Sequence, residues 1–406
     1  MGGTRLAVEN RFRLHRSASL HDAADGEMAF AGSVLADQPA AAALRAALAL
    51  AEAGRAFRIG LEDGPAPEDA KLPVFETLTS GSSGRPRRIR RTQRSWALGF
   101  AVNAELFALG PGVRVAVLGR LVHSLSLYGA LEGACLGCAV HLLGGMRPDR
   151  QRAALAVEAV EVVYATPSQL RMLVDAGGPV LAALRVVLVG GSKLDPVLRA
   201  GLARLAPHGE VREFYGAAEA SFITLADASA SVDSVGTVYP GVRVAIRNRE
   251  GAPLKDGAVG EVWVQSPYLF LGYAGEDAGG AKRSGRWLSV GEMGWLQKGE
   301  LHLAGRAGRM VTVADENVFP EEIETCLATL GGVGRVAVLP RRDALRGVVM
   351  VAVVQGDRRC EAAILQAGRE RFGSLKSPRA VIWREDWPVL PSGKTDLVRL
   401  AAEAGL

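Results

Sequence analysis

Between residues 72 and 216, short β-branched runs alternate with helical stretches, and this alternation constrains the chain more than any other feature. Runs at 113–118, 140–143, 160–164, 186–189 and 211–214 read as strands. Stretches at 150–158, 167–176 and 196–205 read as helices between them. Parallel neighbours need crossovers of a dozen or more residues, usually helical, so this order predicts a largely parallel sheet covered by helices. Upstream, the Ala/Leu-rich segment 38–55 has helical spacing, and 64–69 (GPAPED) reads as a loop. From Gly236 to about Ala304, strands at 242–246 and 261–264 are broken by turns such as 248–251 (NREG), which reads as a smaller antiparallel unit. Beyond it, Pro320 opens a helix whose Ile323, Leu327 and Leu330 form a buried stripe. Runs at 336–339 and 348–354 read as strands.

With 406 residues the chain has room for two or three domains. Its apolar runs are broken every few residues, so nothing approaches the roughly 20 residues of a membrane span. The mixed basic start at 1–16 has no apolar signal core, which predicts a cytoplasmic location. A net charge of +5 suits anionic ligands but is too dilute to argue for nucleic acid. The one dense basic run, 85–94, lacks the interleaved aromatic residues of a nucleic-acid surface. Cys135 and Cys138 have metal-like spacing, yet no second pair answers them and their neighbours are apolar, so they read as core thiols.

The sharpest local feature is Thr79-Ser80-Gly81-Ser82-Ser83-Gly84-Arg85-Pro86-Arg87. Its glycines let backbone N–H groups turn toward an anion. The hydroxyls of Thr79, Ser80, Ser82 and Ser83 add donors, and the arginines, Arg87 among them, add charge. The segment is not a Walker loop, which needs Lys directly after its second Gly. Taken alone, it reads either as a polyphosphate cradle or as a flexible Ser/Gly linker.

The order of the later motifs separates the two. Downstream stand His123-Ser124-Leu125-Ser126, Gly190-Gly191-Ser192, Tyr215-Gly216-Ala217-Ala218-Glu219, Trp287-Leu288-Ser289-Val290-Gly291-Glu292, Gly305-Arg306 and Leu390-Pro391-Ser392-Gly393-Lys394. In this sequence and spacing they resemble the adenylate-forming, AMP-binding superfamily of acyl-CoA synthetases, adenylation domains and luciferases, over about 75–400 and with a shortened N-terminal region. The resemblance implies an α/β fold. A large N-terminal domain, 1–306, would hold mostly parallel sheets under helices plus a small antiparallel unit. A small mobile α+β domain, 307–406, would carry the catalytic lysine. It also implies ATP and Mg2+, a small carboxylic acid substrate, and an acyl-adenylate passed to CoA. The alternatives are an enzyme that loads a carrier-protein phosphopantetheine or another acceptor, or a non-catalytic nucleotide-binding relative.

Residue by residue, the resemblance makes Thr79 through Gly84 and Arg87 phosphate-binding. His123 lies beside the acyl pocket, Gly191 and Ser192 line the adenine and acyl sites, and Tyr215, followed by Gly216, stacks on adenine. Glu219 binds Mg2+, Glu292 the ribose, Arg306 ribose or phosphate, and Lys394 is catalytic. Three positions depart from the pattern: Ala218 replaces a Thr, Glu292 an Asp, and Asp315 a Gly near the thiol path. The missing Thr hydroxyl calls for another donor, such as Ser221. The family hinge residue falls at Gly308, and small residues at 217 and 218 leave room for a bulky or flat acyl group.

Overall fold

The structure is a computed structural model and describes residues 11–22, 30, 32–79, 86–231, 233–275, 280–313, 316–343, 347–390 and 395–406. It divides into two compact units, one of 1–244, 264–290 and 299–301, the other of 245–263, 291–298 and 302–406.

In the first unit the expected parallel sheet is present. Its strands run in the order Ser19–Asp22, Ala139–Leu142, Arg114–Val117, Val162–Ala165, Val186–Gly190 and Glu210–Ala217, all parallel. Ser221–Ala226 and Ser234–Val238 then continue it antiparallel. Alternate residues serve opposite faces, as strand pleating requires. Ala116, Val163, Val187 and Val189 share a core with Leu155, Leu170, Leu198 and Leu202 of helices Pro148–Val157, Pro167–Asp175 and Pro196–Leu205. On the other side, Gly129 of helix Ser124–Leu136 lies so close to Tyr164 that a Cβ there would sit 2.7 Å from its ring.

The helix starts follow from local chemistry. Each of these three helices has Pro in its first turn, where no N–H is missed. Thr166 and Gln169 form a reciprocal capping box, and the Asp195 side chain accepts from Leu198 N at 2.9 Å. The predicted helix at 38–55 is Ala40–Glu52. Cys138 is buried, its thiol pushed up to about 11 by burial, Cys135 is half-buried, and neither is in a disulfide. No cluster of three metal-binding side chains occurs among the described residues. Nor is any described helix long and apolar enough to cross a membrane.

A second sheet carries the phosphate-loop hairpin. Val74–Leu78 pairs antiparallel with Arg88–Thr92, with Arg58–Ile59 beside the first strand and Gly272–Tyr273 beside the second. Arg58 anchors it from inside. This fully buried guanidinium meets Glu76 at 2.8 Å and donates to the carbonyls of Gly60, Leu61 and Pro65. Buried charge persists because nearly every donor is used.

The second unit holds strands Val333–Asp343 and Gly347–Gly356 as an antiparallel pair, with Val381–Trp383 parallel to the latter. Helix Pro320–Leu327 packs Ile323 and Leu327 into its core beside Val338, Met350 and Ile364. The helix stops short of Leu330, which still packs on that core from the turn before Gly332, a residue at φ +90°.

Beneath the parallel sheet Glu132 is fully buried. It accepts from Asn103 Nδ2 at 2.9 Å and from the Tyr164 hydroxyl, while Tyr239 donates to Asn103 Oδ1 at 2.6 Å. Burial, partly opposed by these donors, pushes the carboxyl up to about 8. The folded chain therefore keeps a proton that the unfolded chain releases above its ordinary value of 4.5. This contribution to stability is complete below the unfolded value and is lost as pH rises through the folded one. Between about pH 5 and pH 8 the urea midpoint of the wild type falls relative to that of Glu132→Gln, which cannot ionise. Parallel midpoint–pH curves for the two proteins would show that Glu132 does not titrate in that range.

Candidate active site

The phosphate segment joins two antiparallel strands, and its base is closed from both sides. Thr79 N donates to Arg87 O at 3.0 Å, and Arg87 N donates to Thr79 Oγ1 at 3.2 Å. Ser80, Gly81, Ser82, Ser83 and Gly84 lie outside the described residues. The loop's entry strand is fixed to the parallel sheet: Leu78 bridges His123, and Ser124 Oγ donates to Leu78 O at 3.1 Å. Residues 118–123 leave the strand Arg114–Val117, from which the chain passes first to one neighbour and later to the other. Open α/β sheets bind ligands at such a reversal of strand order.

His123 is therefore at the carboxyl edge of the sheet, exposed, immediately before helix Ser124–Leu136. Desolvation, then the charge of Arg120, lowers its pKa, while Asp37 acts against them. Arg120 itself donates through Nε to Asp37 at 2.6 Å. Gly191 and Ser192 are exposed at the end of strand Val186–Gly190, Gly191 with φ +102°. A Cβ on Gly190 would lie 2.2 Å from the Phe214 ring, so the aromatic ring requires glycine there.

Tyr215 and Gly216 sit at a bulge in the hairpin Glu210–Ala217/Ser221–Ala226. A Cβ on Gly216 would lie 2.2 Å from Ser221 O. The turn of this hairpin carries Glu219, whose carboxylate Oε1 accepts from the Tyr273 hydroxyl at 2.8 Å. Its backbone is fixed as well, since Phe270 N donates to Glu219 O at 2.8 Å. Tyr273 belongs to the short strand beside Arg88–Thr92, and Leu271 N and Ala274 N donate to the carbonyls of Arg90 and Arg88. The strap 270–274 thus brings Glu219 to the hairpin that bears the phosphate loop. Burial, then the charge of Glu219, raises the Tyr273 pKa, which keeps that hydroxyl protonated and donating. With one oxygen oriented by Tyr273, the carboxylate keeps acceptor capacity for a hard cation, and its chemistry fits Mg2+.

Arg91 and Tyr273 were not among the expected site residues. Arg91 is fully buried and donates to Ala218 O, to Ser221 Oγ at 2.6 Å and to Tyr268 O. Burial pulls its pKa down to about 9, while the charge of Glu219 acts the other way. Strand alternation held the clue, because Arg91 shares the buried face with Ile89. The two-residue strand of Tyr273 is too short to show a period. Ser221 does not replace the missing Thr hydroxyl: its Oγ accepts from Arg91 and from Trp96 Nε1 at 3.1 Å, and lies 3.4 Å from Tyr268 O.

In the second unit, Glu292 and Arg306 come together, Arg306 Nε donating to Glu292 Oε1 at 3.1 Å. Glu292 is 13% exposed and Arg306 58%, so the arginine presents its charge to solvent beside a shielded carboxylate. Ala307 N donates to Gly291 O at 2.8 Å. Past Gly308, Arg309 meets Glu324 at 2.7 Å and donates to Val338 O. Asp315 and Lys394 lie outside the described residues.

Comparison with known proteins adds relatives to this geometry. Residues 14–274 match the AMP-binding enzyme family, and 322–394 match the AMP-binding enzyme C-terminal domain. An uncharacterized acyl–CoA ligase of Bacillus subtilis, YhfT, is 30% identical over 331 residues, 80% of this chain and 67% of that one. An indoleacetate–CoA ligase of Aromatoleum aromaticum is 27% identical over 338 residues, 80% of this chain and 66% of that protein. Among solved structures, the amide bond synthetase McbA of Marinactinospora thermotolerans superposes with a TM-score of 0.72 at 27% identity, covering 84% of this chain and 72% of McbA. The chain spans 60% to 67% of the length of the curated relatives it matches first. With more than half its residues inside the family model and the site motifs in order, the chain belongs to the adenylate-forming, AMP-binding enzyme family and is acyl-CoA ligase-like.

Proposed function

We propose that the protein activates a carboxylic acid with ATP, forming an acyl-adenylate and releasing pyrophosphate, and then transfers the acyl group to the thiol of CoA. The observation that carries this reading is the strap that holds Glu219 against the phosphate-loop hairpin. Attack of a carboxylate on the α-phosphate brings two anions together, so the site must offset their repulsion. The loop from Thr79 to Gly84, with Arg87, supplies donors and charge for the phosphates. Tyr215 offers an aromatic face for adenine, bordered by Gly191, Ser192 and Gly216. Glu219, oriented by Tyr273, is the residue that would hold Mg2+, and the ion when bound neutralises phosphate oxygens. Arg306 and Glu292 offer a donor and an acceptor to ribose hydroxyls. Lys394, on a mobile domain from 307 onward, would bridge the acid's carboxylate and the α-phosphate as negative charge develops. His123 borders the acyl group. The reaction belongs in the cytoplasm, where ATP and CoA are held.

The acceptor has two alternatives. One is a carrier-protein pantetheine. The other is an amine, which the likeness to an amide bond synthetase motivates. A carboxylate at Asp315 near the thiol path would slow thiol entry and favour such acceptors.

A panel of aliphatic and aromatic acids tests the first step. Pyrophosphate release depends on acid in the wild type and drops at least about 100-fold in Lys394→Ala. A panel in which no acid supports release would favour a non-catalytic nucleotide-binding role. Asp315→Gly accelerates acyl transfer to CoA in a single-turnover assay and leaves pyrophosphate release unchanged. Equal transfer rates in the two proteins would remove Asp315 from the acceptor path.

A further inference from the structure

We infer that Arg91 is a positioning residue for the cation site: it locks the Ala218–Ser221 turn so that the Glu219 carboxylate is presented in one orientation. The inference rests on the ligand reading of Glu219 and goes beyond it to the residue that aims the ligand.

Three observations support it. First, Arg91 lies on strand Arg88–Thr92, the exit strand of the phosphate loop, and its guanidinium reaches both ends of the Glu219 turn, Ala218 O before it and Ser221 Oγ after it. A rigid planar fork of donors fixes the spacing of its acceptors. The same fork reaches Tyr268 O, so the segment leading into the strap is tied to the turn by the same side chain. Second, Ser221 is in the left-handed region at φ +59°, a conformation that is costly for a side-chain-bearing residue and persists only where surroundings over-determine it. Arg91 and Trp96 supply that determination, since both donate to Ser221 Oγ, and Arg91 also lies over the Trp96 ring at 5.8 Å. Third, no described carboxylate forms a salt bridge with this fully buried cation, and among charged groups Glu219 acts on it most strongly. Taking a cation out of water without a paired carboxylate is costly, and a structural neutral donor would serve the turn at lower cost.

Charge and geometry predict opposite effects of removing Arg91. A nearby positive charge repels a divalent cation, so if charge were its main influence, its loss would tighten metal binding. If the fork aims Glu219, its loss loosens the carboxylate and weakens binding. The two are separated by the Mn2+ retained by the ATP-bound protein in equilibrium dialysis, compared with a protein-free Mn2+–ATP control, which needs no turnover. Arg91→Met and Arg91→Lys are both expected to raise the Mn2+ dissociation constant about 5- to 10-fold, with ATP binding in EDTA unchanged. The lysine variant keeps charge but lacks the fork, so it does not rescue. Where loss of a buried cation prevents folding, Ser221→Ala removes one anchor of the turn and is expected to weaken Mn2+ about 2- to 5-fold in the same direction. Unchanged or tighter Mn2+ binding in a folded variant, or rescue by lysine, overturns the inference. So does a wild type that retains no more Mn2+ than free ATP does. A wild type that binds Mn2+ and ATP but releases no pyrophosphate with any acid defeats the proposed reaction and leaves this measurement decisive for Arg91.

Discussion

The hydrogen bond from Tyr273 to Glu219 joins two parts of the first unit that the chain builds separately. The parallel sheet, with its hairpin extension, carries the carboxylate. The second sheet carries the phosphate loop. Each has its own internal packing: an apolar core under the first, and in the second Phe57 stacked on Phe75 beside the buried Arg58–Glu76 pair. The strap 270–274 pairs with one and holds Glu219 of the other. The Leu78–His123 bridge makes a second connection at the loop's other strand. The loop proposed to bind phosphates is thereby referenced to the sheet at both of its strands, while its middle is rich in glycine and serine in sequence.

Much of this was legible in the sequence because its signals are local. Strand 186–190 is a near-continuous β-branched run, and Pro167 and Pro196 open helices behind Thr166 and Asp195 caps, so the parallel layer could be read without tertiary knowledge. The expectation for the phosphate segment rests on its composition, and that for Glu219 on its motif. The contacts that orient those residues were not legible. Gly272–Tyr273 is a two-residue strand paired with residues far away in sequence, and no period can announce it. Arg91 sat inside the dense basic run 85–94, and its burial follows from partners at 218, 221 and 268 that sequence does not juxtapose. Ser221 was a candidate donor on type alone, and its hydroxyl is spent on the scaffold. Residue identity announced the groups suited to a ligand, and only three-dimensional packing revealed what holds them.

At Glu292, where the resemblance leads one to expect aspartate, a carboxylate only 13% exposed accepts from Arg306 Nε at 3.1 Å. Under the proposed ribose role, a sugar hydroxyl would meet a carboxylate already engaged by that arginine.

The segment around Gly308 has a mechanical corollary. On one side Ala307 is fastened to the Gly291 carbonyl; on the other Arg309 is riveted into the second unit's core edge through Glu324 and Val338. A Cβ on Gly308 would touch nothing within 4 Å. Yet Arg309 N and Met310 N both donate to Arg306 O, at 2.9 and 3.0 Å, so the backbone across Gly308 is closed as a turn and any rotation there has to open those two bonds first: the stretch is latched rather than freely swivelling.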